Sequence, residues 1–276
     1  MKCTGLLFAL LVLLIDVNQS FAQGDLMIYP RRLVFESNQR SMDMTLANTG
    51  TDSSSYTLSW KNYRMTATGQ FEELTEPDSG QYFTDQILRF YPREVTLGPG
   101  ESQKVRVQRI SARKLPDGEY RSHLEFRSIK PMESLGLNQG SNSQDGIQTK
   151  LNMHLAITIP VIMEIGNVTS SVRLQNPKLI TSENLVRYLQ FEIIREGNKS
   201  CYGDFTIIHR GEDGRQTKVA LVRGVAVYTP LFSRMYSLPL NIPAELNELK
   251  SGTLILEYIT QSRRKEVLAT LEFPLN

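Results

Sequence analysis

The chain has 276 residues, of which 40% are hydrophobic and 22% charged, with a formal net charge of +2 at pH 7. Both signs of charge are dispersed along it, so it lacks the concentrated basic stripe that nucleic-acid binding requires. Only two cysteines are present, too few for a disulfide framework, so stability has to come from hydrophobic cores.

The first element is a leader. "MKCTGLLFALLVLLIDVNQSFAQ" carries Lys2, an apolar run from Leu6 to Ile15, and a polar stretch ending in Ser20-Phe21-Ala22. Small residues at the first and third positions before a break suit signal peptidase, so residues 1–22 are expected to be a signal peptide cleaved after Ala22. As a helix the apolar run would rise about 15 Å, half a bilayer core, which argues against a membrane anchor. Nothing further along approaches eighteen uninterrupted apolar residues, so no membrane insertion is expected. Cys3 leaves with the leader, and Cys201 then reads as a small, partly buried residue.

Beyond the leader, short alternating or β-branched runs are separated by turn clusters: "LMIYP", "RLVFE", "MDMTLANTG", "SYTLSW", "EVTLGPG", "QKVRVQRI" and "YRSHLEFRSI". Met42, Met44 and Leu46 alternate with Ser41, Asp43 and Thr45, and Val105 and Val107 alternate with Arg106 and Gln108. Period-two alternation at such spacing predicts antiparallel strands in a β-sandwich. Arg31 and Arg32 fall inside the first apolar stretch, either as charges that protect a sheet edge or as a rigid anchor for a partner's carboxylate.

Residues 131–150, "PMESLGLNQGSNSQDGIQTK", are too polar to form a core alone. The segment reads as a long hairpin connection or as a loop that orders when a partner binds. It leads into "LNMHLAITIPVIMEIG", where Leu151, Met153, Leu155, Ile157, Ile159, Val161, Met163 and Ile165 form one unbroken apolar face. A break near Glu164 to Ser170 is expected to separate an N-terminal domain, 23–165, from a C-terminal one, 166–276. Seven further runs follow, from "SVRLQNPKLI" to "EVLATLEFPL", and "PAELNELKSG" could make one helical turn. The fold class read from this pattern is all-β, with two β-sandwich domains in series.

Enzymatic motifs are missing from the sequence. His123, His154 and His209 show no metal-ligand spacing, and there is no nucleophile elbow, Walker loop or dinucleotide fingerprint. A sandwich glycosidase would need two converging carboxylates, and Glu72, Glu73 and Glu76 read instead as a solvated loop face. "NVT" at Asn167 and "NKS" at Asn198 match the glycosylation pattern, a weak three-residue signal. No enzyme activity, cofactor or metal is expected.

The ordered blocks "YPRRLVFE", "LANTGTDSSSYTLSW", "YPREVTLGPGESQKVRV" and "LPDGEYRSHLEFRSI", followed by the long alternating strand, resemble the periplasmic pilus-assembly chaperones of the PapD-like family. The resemblance covers Leu26 to Ile165; the second half matches only in size and strand texture. It implies immunoglobulin-like domains and a chaperone that lends a strand to pilus or fimbrial subunits lacking their last one. By position the donated residues would be Leu151, Met153, Leu155 and Ile157, with Ile159 to Ile165 serving the chaperone's own core. It further implies an outer-membrane usher as the recipient, and allows a dimer in which the chaperone caps its own edge. Arg32 matches the family's carboxylate-binding arginine, but Pro160 stands where the accompanying lysine would be. Arg31, Arg89 and Lys150 are the candidate replacements. Without chaperone activity, the same sequence would describe a structural or adhesive two-domain surface protein, self-associating through that edge.

Overall fold

Alternation in the sequence is converted into strands throughout the computed structural model, which describes residues 26–110, 114–129, 155–243, 249, 251–262 and 264–275. The first eleven strands are β1 (Leu26–Tyr29), β2 (Leu33–Phe35), β3 (Ser41–Asn48), β4 (Ser54–Lys61), β5 (Tyr63–Met65), β6 (Phe71–Glu73), β7 (Leu88–Tyr91), β8 (Glu94–Leu97), β9 (Ser102–Arg109), β10 (Gly118–Ser128) and β11 (Ala156–Ile165). They form a sheet ordered β1-β3-β9-β7 packed against one ordered β2-β11-β10-β4-β8, with β5 and β6 as a separate hairpin. Met44, Leu46, Val105, Val107, Leu124, Phe126, Val161 and Met163 meet in the core between the sheets.

The remaining strands are β12 (Ser170–Thr181), β13 (Arg187–Gly197), β14 (Cys201–Arg210), β15 (Gln216–Val227), β16 (Ser233–Pro239), β17 (Gly252–Thr260) and β18 (Val267–Leu275). They make sheets ordered β12-β13-β16 and β15-β14-β17-β18 around a second core that includes Phe191, Phe205, Leu256 and Tyr258. The fold is therefore all-β, two immunoglobulin-like sandwiches in series. Among the described residues no helix is long and apolar enough to cross a membrane. Residues 1–25, which include the expected leader, the segment 130–154 and most of "PAELNELKSG" lie outside the described residues.

One expectation is corrected. Arg31 and Arg32 do not lie inside a strand: the chain leaves the β1 sheet after Tyr29 and enters the β2 sheet at Leu33. Pro30, with no amide hydrogen to give to a ladder, sits at the start of that crossing. Three strands also go beyond the alternation pattern: β5 and β6 are three residues each, and all of β6 is exposed, while β7 is a four-residue piece. Runs that short show no period.

The two sandwiches meet along a packed seam. Met65, Ile162, Ala226 and Tyr228 form a buried cluster with Val34, Tyr202 and Leu231 against it. The connection turns at Gly166, whose φ of 66° suits glycine; a Cβ there would strike the Asp117 carboxylate, which accepts the Asn167 N–H at 3.0 Å. The β5–β6 hairpin reaches across as well, and the Met235 N–H donates to the Ala67 carbonyl at 2.9 Å.

Candidate functional site: a half-paired strand beside an interdomain cleft

β11 pairs with β10 along its whole length, from Ala156 opposite Arg127 to Ile165 opposite Gly118. On its other side it pairs with β2 over Val161 to Met163 alone, and in parallel. Among the described residues no strand covers that edge from Ala156 to Pro160, and unpaired strand edges of this kind are templates for another strand. The apolar row changes character along the same line. Ile159, Val161, Met163 and Ile165 are buried in the core, Ile157 is half-buried against it, and Ala156 and Thr158 on the opposite face are exposed. Leu155 is half-buried, and its carbonyl accepts the Ser128 N–H at 2.9 Å. Leu151, Met153 and Lys150 lie outside the described residues.

Arg32 stands at the mouth of the seam. Its Nη1 donates to the Tyr228 hydroxyl at 3.0 Å, and its guanidinium carbon lies 4.3 Å from the centre of the Tyr202 ring and 5.5 Å from that of Tyr228. Stacking of this kind holds a guanidinium in place without neutralising it. Both tyrosines belong to the second sandwich, so the docking of the two domains fixes the arginine. The adjoining cleft, about 830 Å³, is lined by Arg31, Arg32, Lys199, Tyr202 and Gln261 among others. Lys199, on the turn between β13 and β14, pairs with Glu164 at 2.7 Å. It is a third cation in the cleft wall with Arg31 and Arg32, its ammonium met by Glu164, and nothing in the sequence singled it out. Arg89 is not brought here: its Nη1 donates to the Asp85 and Leu88 carbonyls, and it lines a separate cleft with Trp60 and Arg93. Pro160 pairs across from His123.

Behind this cleft lies a buried charged row on the face of β10 turned away from the first core. Glu119, Arg121, His123 and Glu125 are all buried. Glu119, 3% exposed, accepts from the Ser200 N–H at 2.9 Å, from the Ser200 hydroxyl, and from the Thr229 hydroxyl at 3.5 Å; its own N–H donates to Asn198. These bonds tie the sandwiches together. Arg121, 1% exposed, donates from Nη2 to the Tyr63 carbonyl at 3.0 Å and the Thr229 carbonyl at 3.4 Å, and lies 4.4 Å above the Tyr228 ring. Its Nε and Nη1 have no partner among the described residues. Burial lowers the Arg121 pKa and the Arg32 charge adds to that, while Tyr228 and Glu119 oppose it. His123 is enclosed edge-on by Tyr63 and Phe71. Burial, then the charges of Arg121 and Arg32, push its pKa down to about 3, so it is a neutral ring at physiological pH. The cleft therefore presents guanidinium charge near Tyr228 without a histidine switch. Among the described residues no three His, Cys, Asp or Glu side chains are grouped to hold a metal ion.

No protein-family model matches the chain, and no curated protein matches it. Among solved structures it is similar to the CupB2 chaperone of Pseudomonas aeruginosa, at 10% identity and a TM-score of 0.47, with 91% of this chain and 100% of that one covered. It is also similar to the CsuC–CsuE chaperone–tip adhesion subunit pre-assembly complex of Acinetobacter baumannii, at 10% identity and a TM-score of 0.44, covering 90% and 97%. A third likeness is to the Salmonella enterica SafA pilin in complex with the SafB chaperone, at 9% identity and a TM-score of 0.43, covering 92% and 97%.

Proposed function

We propose that this chain is a divergent PapD-like chaperone of the periplasm that captures pilus or fimbrial subunits by lending them β11, then hands them to an outer-membrane usher. The observation that carries the reading is the half-paired β11, bonded to β10 throughout yet open beside Ala156 to Pro160. A subunit that lacks its last strand has an apolar groove and unpaired backbone groups, and an alternating strand meets both needs at once. In this reading Ile157, Leu155 and the preceding Met153 and Leu151 fill the groove. Each such side chain contributes roughly 1.5–3 kcal/mol when fully buried, before the costs of association. Binding is stoichiometric and uses neither nucleotide nor cofactor. The domains are taken as 23–165 and 166–276.

Arg32, with Lys199 and Arg31 lining the same cleft, would hold a carboxylate of the captured subunit. The test is co-purification of a tagged chain with a pilus-type subunit whose last strand is missing. Arg32→Ala removes a charge-assisted bond worth about 1.5–3 kcal/mol, so capture should weaken roughly ten- to hundredfold. Stability should fall by only about 1–2 kcal/mol, from the lost Tyr228 bond and ring contacts. Unchanged capture by the variant would remove the arginine from the mechanism. Failure of the parent chain to retain any such subunit would refute the chaperone reading itself.

A further inference from the structure

The β8 edge of the first sandwich, opposite β11 in the same sheet, ends in an open corner. β8 pairs with β4 only from Ser54 to Thr57, and the last bond along this edge runs from the Leu58 N–H to the Arg93 carbonyl at 2.8 Å. At Pro92 and Arg93 the chain crosses from β7 in one sheet to β8 in the other. Amides on a strand alternate between its two neighbours, so the Trp60 main chain, two residues on from Leu58, points into the corner that β8 has left.

The corner is a cleft of about 320 Å³ lined by Leu58, Ser59, Trp60, Arg89, Phe90 and Arg93. Trp60 and Phe90 meet edge to face, with ring centres 5.3 Å apart. The indole Nε1 of Trp60 is buried and has no partner among the described residues, whereas buried donors are normally hydrogen-bonded. Arg89 is oriented by two backbone carbonyls. Arg93 is exposed. The lining therefore combines two guanidinium groups, the unpartnered indole N–H of Trp60 and an aromatic floor, and contains no carboxylate.

We propose that this corner docks an extended, acidic polypeptide segment. Its carboxylate would bind Arg89 and Arg93, its backbone carbonyl would accept from Trp60, and an apolar side chain would rest on the Trp60–Phe90 pair. The chemistry is charge-complementary and continues the sheet where β8 stops. It is independent of the β11 reading, because the two surfaces lie on different strands.

Trp60 is the single tryptophan, so its fluorescence reports on the site directly. The probe is the blocked peptide acetyl-Asp-Phe-Glu-amide, titrated into the purified full chain, with acetyl-Lys-Phe-Lys-amide and sodium sulfate as parallel arms. The expected result is a saturable emission change with the acidic peptide alone, weakened by about tenfold or more in Arg93→Ala and further in Arg89→Glu/Arg93→Glu. Circular dichroism melting of each variant establishes that it is folded. Equal response to the basic peptide, no saturable response, or sulfate matching the peptide would each overturn the proposal; the last would make the corner a simple anion site.

Discussion

Replacing Ile157 with aspartate should abolish subunit capture while leaving the first sandwich folded. Ile157 sits where the buried row of β11 gives way to half-burial, so its loss removes only part of the roughly 1.5–3 kcal/mol of a fully buried isoleucine. In a partner's groove the same carboxylate would have to shed water with no cation to meet it, which costs several kcal/mol and weakens binding by more than about a hundredfold. Leu155→Asp should act in the same direction. Thr158→Asp, exposed on the opposite face, should leave capture near the parent level. Ile159→Asp is unsuitable for the comparison, since Ile159 is a core residue and its replacement should unfold the domain. The measurement is subunit recovery alongside urea midpoints for each variant. Full recovery with Ile157→Asp would refute strand donation from this stretch.

Glu119→Ala should loosen the junction between the sandwiches and lower stability by about 3 kcal/mol. The carboxylate accepts from Ser200 and Thr229 of the second sandwich, and removing it leaves buried donors without an acceptor. It also takes away a negative charge that favours the charged form of Arg121, leaving a buried guanidinium less compensated. Arg32 is positioned by Tyr202 and Tyr228, so capture should fall together with the junction. In urea the variant should unfold in two separated transitions, one for each sandwich. A single transition at the parent midpoint would show that Glu119 does not join the domains.

The fold was largely legible because a strand with one buried face writes a period of two into the sequence. Met42, Met44 and Leu46 against Ser41, Asp43 and Thr45 show it, and each of the seven runs after Gly166 became a strand. What the sequence concealed depends on contacts between distant segments. "YRSHLEFRSI" is read only as one more strand, yet Glu119, Arg121, His123 and Glu125 on one face of β10 are buried beneath the second sandwich and the β5–β6 hairpin. Their burial depends on a docking partner that no local pattern encodes. Lys199 was hidden for the same reason: its turn reaches the cleft only after the domains meet. Arg89 misled in the opposite direction, because a basic residue near an apolar run carries no information about which edge of the sheet it will occupy. The break at Pro30 turned a supposed strand interior into a crossing between sheets, and that crossing is what turns Arg32 toward the seam.

Amide hydrogen exchange along β11, with and without a captured subunit that lacks its last strand, tests the central claim most directly. Strand donation predicts slow exchange of the β10-facing amides of Ile157 and Ile159 in both states, and strong new protection at Ala156 and Thr158, whose amides face the open edge, when the subunit is bound. Capture with no change in exchange at Ala156 and Thr158 would contradict it and place the recognition surface elsewhere.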